Sequence, residues 1–195
     1  MALFFESATR KLSREVVDSP SDRSNYKHRK LHRQQVTEIK EAAKLVDTFL
    51  IHDPGIPQLE TGKISAKRAL EITVDELTIK GKNKSAHWTL SHDGTLYKHV
   101  NILYSAWHAG DSILHGKKWL NNISVGIEVI GSPYTEIQYF VLAQLINDVR
   151  QIFPLINPTR IIGHYHVSSY RGKVDPRNFD FEKLFRIMYA KRPVE

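Results

Sequence analysis

The run Ile123-Ser124-Val125-Gly126-Ile127-Glu128-Val129-Ile130-Gly131 constrains this chain more than any other stretch. It is short, apolar and rich in β-branched residues, which is the composition of a central strand hydrophobic on both faces. Such a strand needs cover above and below its sheet. The expectation is therefore an α/β fold, a mixed central β-sheet flanked by helices on both faces. Glu128 sits in the middle of the run. A carboxylate there is expensive to bury unless it is paired or functional, and one with a raised pKa is what a general base requires.

Other segments supply the rest of the sheet. Leu45 to Ile51 is an apolar run ending on His52, and Asp53-Pro54-Gly55 stops it. Arg160-Ile161-Ile162 leads in the same way into Gly163-His164. Residues 85–90 and 96–100 flank Asp93-Gly94, the signature of a hairpin. Helical patterns cover about 34–44, 65–77 and 135–153, and a capped helix follows Asp180. The stripe Ile137, Phe140, Val141, Leu145, Ile146 and Val149 suits a helix packed on the sheet, carrying core and not chemistry.

A chain of 195 residues suits one domain, taken as 34–195, behind a basic, loosely packed arm, 1–33. The cluster Lys27-His28-Arg29-Lys30-Leu31-His32-Arg33 reads as a solvated segment of that arm. Cysteine is absent, which excludes disulfides and thiolate metal ligands. The net charge of +7 favours polyanions, among them nucleic acid and an anionic bacterial envelope, without choosing between them. Met1-Ala2-Leu3-Phe4-Phe5-Glu6 has too short an apolar run for a signal peptide, and no stretch reaches a membrane span. The expectation is a monomer synthesised in the cytoplasm without membrane insertion.

Three strand ends thus present His52, Glu128 and His164, and the loop after His164 presents Lys173 and Asp175. Two imidazoles and a carboxylate suit Zn²⁺, a separate carboxylate can take a proton from water, and an ammonium can stabilise an oxyanion. The constellation points to metal-assisted hydrolysis.

These residues, with Ser85-Ala86-His87, Asp93-Gly94-Thr95, Ala106-Trp107-His108-Ala109-Gly110 and Lys173-Val174-Asp175-Pro176, resemble the zinc-dependent N-acetylmuramoyl-L-alanine amidases of the type 2 amidase and peptidoglycan recognition protein superfamily. The resemblance runs from about Leu45 to the C-terminal helix. It implies an amidase-like fold, zinc on His52, His164 and Asp175, Glu128 as general base and Lys173 as the oxyanion-stabilising cation. The family uses either a Tyr before the hairpin His or a Glu on the central strand, and Ala86 with Glu128 matches the second scheme. Trp107 and His108 are expected to line the cleft, with His87 as a further substrate-side candidate that also supports the site. The chain departs from the family pattern at His166, where an acidic residue is common, and at Arg177, where Gly often follows Asp-Pro. The loop to Lys173 is also about one residue longer than usual.

The implied reaction is cleavage of the amide between N-acetylmuramic acid and L-alanine, with peptidoglycan or a muropeptide as partner. The basic charge suits an anionic envelope and so a phage-type endolysin, bacteriolytic and antimicrobial in effect; the alternatives are a cytoplasmic muropeptide-recycling amidase and a non-catalytic peptidoglycan-binding module. The full ligand set argues against the binding module. No nucleic-acid reading motif is present, so no specific nucleic acid is expected.

Overall fold

The computed structural model describes residues 16–31, 34–131 and 133–190. The segment Met1–Glu6 lies outside them, as do His32 and Arg33 of the basic cluster. One six-stranded sheet organises the fold. In chain order its strands are β1 (Val16–Asp18), β2 (Thr48–His52), β3 (Trp88–Leu90), β4 (Leu96–Lys98), β5 (Ser124–Val129) and β6 (Ile161–Gly163). In space they run β1-β4-β3-β5-β2-β6. Only β3 and β4, the two arms of the hairpin, pair antiparallel within this sheet. Its turn uses Gly94 at φ +90°, and Asp93 Oδ1 accepts the Thr95 N–H at 3.0 Å. The sheet is mixed, as expected.

The central strand is β5, but its two faces differ. Val125, Ile127 and Val129 join Phe49 and Ile51 of β2 in the main core, with Leu142, Leu145, Ile146 and Val149 of helix α2 (Glu136–Ile152) and Leu184 and Met188 of helix α3 (Phe181–Tyr189). The alternate residues, Ser124, Gly126 and Glu128, carry no apolar bulk. They face the opposite side, where Ile72, Thr73, Glu76 and Leu77 of helix α1 (Ala66–Thr78) form one wall of a cleft. Helices thus flank the sheet on both sides. Helix α2 starts at a capping box: Thr135 accepts the Gln138 N–H, and the Gln138 side chain accepts the Thr135 N–H.

The described part of the supposed arm is packed into the fold. Val16–Asp18 adds to the sheet as β1, parallel to β4, and Tyr26–His28 pairs antiparallel with Tyr104–Ala106. Arg29, expected to be solvated, is fully buried. Its Nε donates to Ile102 O, its Nη1 to Asn121 O and Asn122 O, and its Nη2 to Ser124 O at 2.8 Å. Burial without a carboxylate partner among the described residues pushes its pKa down to about 9. The helix expected over 34–44 is correspondingly reduced to Ile39–Ala42, because Gln34–Gln35 pairs with Lys30–Leu31 and Val36 N–H donates to Arg29 O.

Arg29→Met should leave one buried and three half-buried carbonyls without that donor. At roughly 1 kcal/mol for the buried one and somewhat less for each half-buried one, the loss is expected to be about 3 kcal/mol. A fall in Tm of about 6–12 °C by calorimetry would match it; an unchanged Tm would show that Arg29 is not holding these segments.

Candidate metal centre and catalytic cleft

Register places the chemistry. His52 closes β2 and is the direct partner of Glu128 on parallel β5, so both side chains leave the sheet on the cleft side. Gly163 at the end of β6 pairs with Ile51, which sets His164 beside His52, their ring centroids 4.5 Å apart. The loop beyond carries Asp175 back to them. Tyr165 N–H donates to Asp175 O, and Arg177 N–H donates to Asp53 Oδ2 at 2.7 Å. Arg177 thereby ties this loop to the one following β2.

His52, His164 and Asp175 each offer a ligand atom within 4.8 Å of the others. Asp175 Oδ2 lies 3.0 Å from His164 Nδ1 and 3.4 Å from His52 Nδ1. The opposite nitrogens are engaged elsewhere: His164 Nε2 with Ala109 O at 3.2 Å and His52 Nε2 with His108 Nδ1 at 3.1 Å. Both Nδ1 atoms are thus directed at the carboxylate. Zinc–nitrogen bonds of about 2.05 Å in a tetrahedron place ligand atoms about 3.3 Å apart, close to these separations, and two imidazoles with one carboxylate form a suitable donor set. The residues fit a divalent ion of that kind.

Charge states agree with this use. Burial pushes the His52 pKa down to about 4, keeping the ring neutral. Burial alone would raise the Asp175 carboxyl, but its contacts with His164 and His52 outweigh that and hold it well below the usual carboxylate range. Glu128 behaves oppositely. Burial, aided by the charges of Asp175 and Asp53, raises its pKa to about 8. Its Oε2 is buried with no hydrogen-bond partner among the described residues, so the ion pair that would have made it merely structural is not formed. Such an orphaned oxygen beside a candidate metal centre is free to handle a proton.

A cleft of about 860 Å³ opens over these groups. Lys173 is exposed and lines it, as do Trp107 and His108. Lys84, paired with Glu76, and Arg171 also line it; neither was singled out in the sequence, where nothing distinguishes them from other surface cations.

Of the two roles read for His87, support of the site and contact with substrate, its placement fits the first, and His166 stands apart from the candidate ligands. His87 is completely buried: its Nδ1 accepts the Gly126 N–H at 3.0 Å, and its Nε2 lies 3.1 Å from Tyr104 O and 3.2 Å from Arg29 Nη2. Burial chiefly, with the Arg29 charge, pushes its pKa down to about 3. It braces the β5 backbone from within the interior and does not line the cleft. His166 is exposed, accepts the Gly163 N–H at 3.1 Å and stacks on Tyr165, so it belongs to no ligand set.

The chain and its fold match a known family. The N-acetylmuramoyl-L-alanine amidase family model matches residues 42–178, more than half of the chain, and the chain belongs to that family. Among its relatives, the 1,6-anhydro-N-acetylmuramyl-L-alanine amidase AmpD of Haemophilus influenzae is 40% identical over 103 residues, 51% of this chain and 55% of that protein. AmpD of Escherichia coli is 34% identical over 111 residues, 55% of this chain and 59% of that protein. The chain spans about half the length of the curated relatives it matches. A crystal structure of a selenomethionine AmpD derivative superposes with a TM-score of 0.63 at 26% identity, covering 89% of this chain and 94% of that one.

Proposed function

We infer that this chain is a zinc-dependent hydrolase of the amide between N-acetylmuramic acid and L-alanine, acting on soluble 1,6-anhydromuropeptides. The observation that carries the reading is the convergence of His52, His164 and Asp175 beside the orphaned Glu128 carboxyl in one cleft. When bound there, zinc supplies a Lewis acid that polarises the scissile carbonyl and acidifies water, and its charge favours the ionised form of Glu128.

The chain's own groups do the rest. Glu128 takes a proton from the attacking water as its oxygen joins the lactyl carbonyl carbon. Lys173 stabilises the negative charge that develops on the carbonyl oxygen. Glu128 then delivers the proton to the L-alanine nitrogen, the C–N bond breaks, and a lactyl carboxyl and a free peptide amine result. Trp107 offers an aromatic wall for the sugar or the peptide stem.

Substrate choice rests on the relatives. The two AmpD proteins are described as 1,6-anhydro-N-acetylmuramyl-L-alanine amidases, which supports the muropeptide-recycling alternative over the endolysin. The endolysin reading rested on net charge, and charge is a weak guide: Arg29 is buried, and Lys117 and Lys84 are engaged with Asp47 and Glu76. Among the described residues no helix is long and apolar enough to cross a membrane.

Mass spectrometry of products from zinc-loaded protein tests the proposal. With a soluble anhydromuropeptide, free stem peptide beginning at L-alanine is expected, abolished by a chelator; with intact sacculi, release should be far slower. Equal release from sacculi would restore the wall-lytic reading, and no cleavage of either would end the amidase reading.

A further inference from the structure

We propose that His108 is a positioning residue which, anchored by Ser124, holds His52 in the tautomer that presents Nδ1 to the metal. The inference rests on the metal-dependent reading above and concerns how this chain prepares the ligand, not which substrate is cut.

The direction of the hydrogen bonds follows from one oxygen. Ser124 Oγ lies 2.7 Å from Leu120 O, and a carbonyl can only accept, so the serine hydroxyl donates there. Ser124 Oγ is then left as an acceptor towards His108 Nε2 at 3.3 Å, so that nitrogen carries the proton. In a neutral imidazole the other nitrogen is a bare acceptor, and His108 Nδ1 therefore receives the N–H of His52 Nε2 at 3.1 Å. His52 Nδ1 is thereby left with its lone pair towards Asp175 Oδ2 at 3.4 Å, an arrangement that a cation held between the two would stabilise. Four groups in series convert a main-chain carbonyl into the orientation of a ligand.

The surroundings are shaped for this ring. A Cβ on Gly126 would come within 2.3 Å of His108 Nδ1, so the strand must be bare where the imidazole crosses it. Asn121 Oδ1 accepts the backbone N–H groups of His108 and Ala109 at 3.1 and 2.8 Å, holding the loop that carries them. Arg29 donates to the carbonyls of Asn121 and Ser124, so the far end of the series is fixed by a residue outside the 42–178 match. The sequence pattern assigned His108 to substrate; its ring nitrogens are already committed to His52 and Ser124.

Two measurements on the full chain test this. The first is zinc affinity by competition with a chromophoric chelator. His108→Leu should weaken binding by about 10–100-fold, the usual effect of removing an outer hydrogen-bond partner. His108→Asn, whose Oδ1 can replace Nδ1 as acceptor, should stay near the wild-type value, and Ser124→Ala should fall between the two. The second is the ¹⁵N NMR signature of the imidazoles in metal-free protein, where Asp175 and His108 compete for the His52 proton and His108→Leu should shift it from Nε2 towards Nδ1.

Wild-type zinc affinity and an unchanged His52 tautomer in His108→Leu would overturn the proposal. A raised KM with unchanged zinc affinity would overturn it too, returning His108 to substrate contact. If His108→Leu does not fold, Ser124→Ala decides by the same two readouts. The tautomer measurement involves no substrate, so a wild-type protein inactive on muropeptides would undo the proposed function while leaving this result standing.

Discussion

Glu128→Gln is expected to lower turnover on an anhydromuropeptide by about 10²–10⁴-fold, the usual contribution of a positioned general acid–base. Metal binding and fold should survive. Glutamine keeps the size and shape of the side chain, and none of the three candidate ligand atoms belongs to Glu128. The same substitution has a second consequence that depends on pH and not on substrate. In the metal-free protein burial raises the Glu128 pKa from 4.5 to about 8. Between those values the folded chain retains a proton that the unfolded chain has lost, so stability falls as pH rises through the interval. The fall should reach a few kcal/mol, since each tenfold difference in proton affinity between the folded and unfolded chain corresponds to about 1.4 kcal/mol. Glutamine cannot ionise, so the variant should escape this loss and melt above the metal-free wild type at pH 8 while matching it near pH 5. Calorimetry at the two pH values, beside product release at each, separates the roles. Near wild-type turnover in the variant would show the base assignment to be wrong.

The residues that converge at the candidate centre could be picked out in the sequence because each stands where a local pattern changes. His52 ends an apolar run, His164 follows a short β-branched one, and Asp175 precedes a proline. Their meeting follows from strand register, which pairs His52 with Glu128 and Ile51 with Gly163. The hairpin and helix α2 were legible from local pattern too: the Asp93-Gly94 turn closes within a few residues, and the apolar stripe from Ile137 to Val149 repeats at helical spacing.

What escaped depends on long-range contacts. Arg29 lies in a basic cluster that reads as solvated, and its partners are the carbonyls of Ile102, Asn121, Asn122 and Ser124, more than seventy positions away. Nothing local distinguishes it from Lys27 or Lys30. The central strand held a signal that an all-apolar reading passes over: Ser124, Gly126 and Glu128 alternate with Val125, Ile127 and Val129. Period two assigns the first set to one face, and that face is the cleft. The same alternation places Ser124 two positions from the glycine over which His108 lies. His87 precedes β3 and resembles a cleft residue in sequence, yet the Gly126 N–H and the buried Arg29 engage its ring nitrogens in the interior.

Loss of the metal should have the other large effect. Zinc present at about 1,000 times its dissociation constant stabilises the folded chain by about 4 kcal/mol if the unfolded chain does not bind it. For a chain of this size that corresponds to a rise in Tm of roughly 8–16 °C. His164→Ala removes a proposed ligand whose ring is nearly inaccessible and whose Nε2 is already committed to Ala109 O. It should abolish the zinc-dependent rise, weaken affinity beyond the roughly 100-fold ceiling typical of outer partners, and stop cleavage. His166→Ala provides the contrast. Its ring is two positions away in sequence but stacks on Tyr165 and accepts the Gly163 N–H, outside the ligand set. That variant should keep the zinc-dependent rise, with at most a modest loss of stability for the missing acceptor. Melting curves of the three proteins with and without zinc make the comparison. A full zinc response in His164→Ala would move the centre away from His52, His164 and Asp175, whereas loss of the response only in that variant would fix it there.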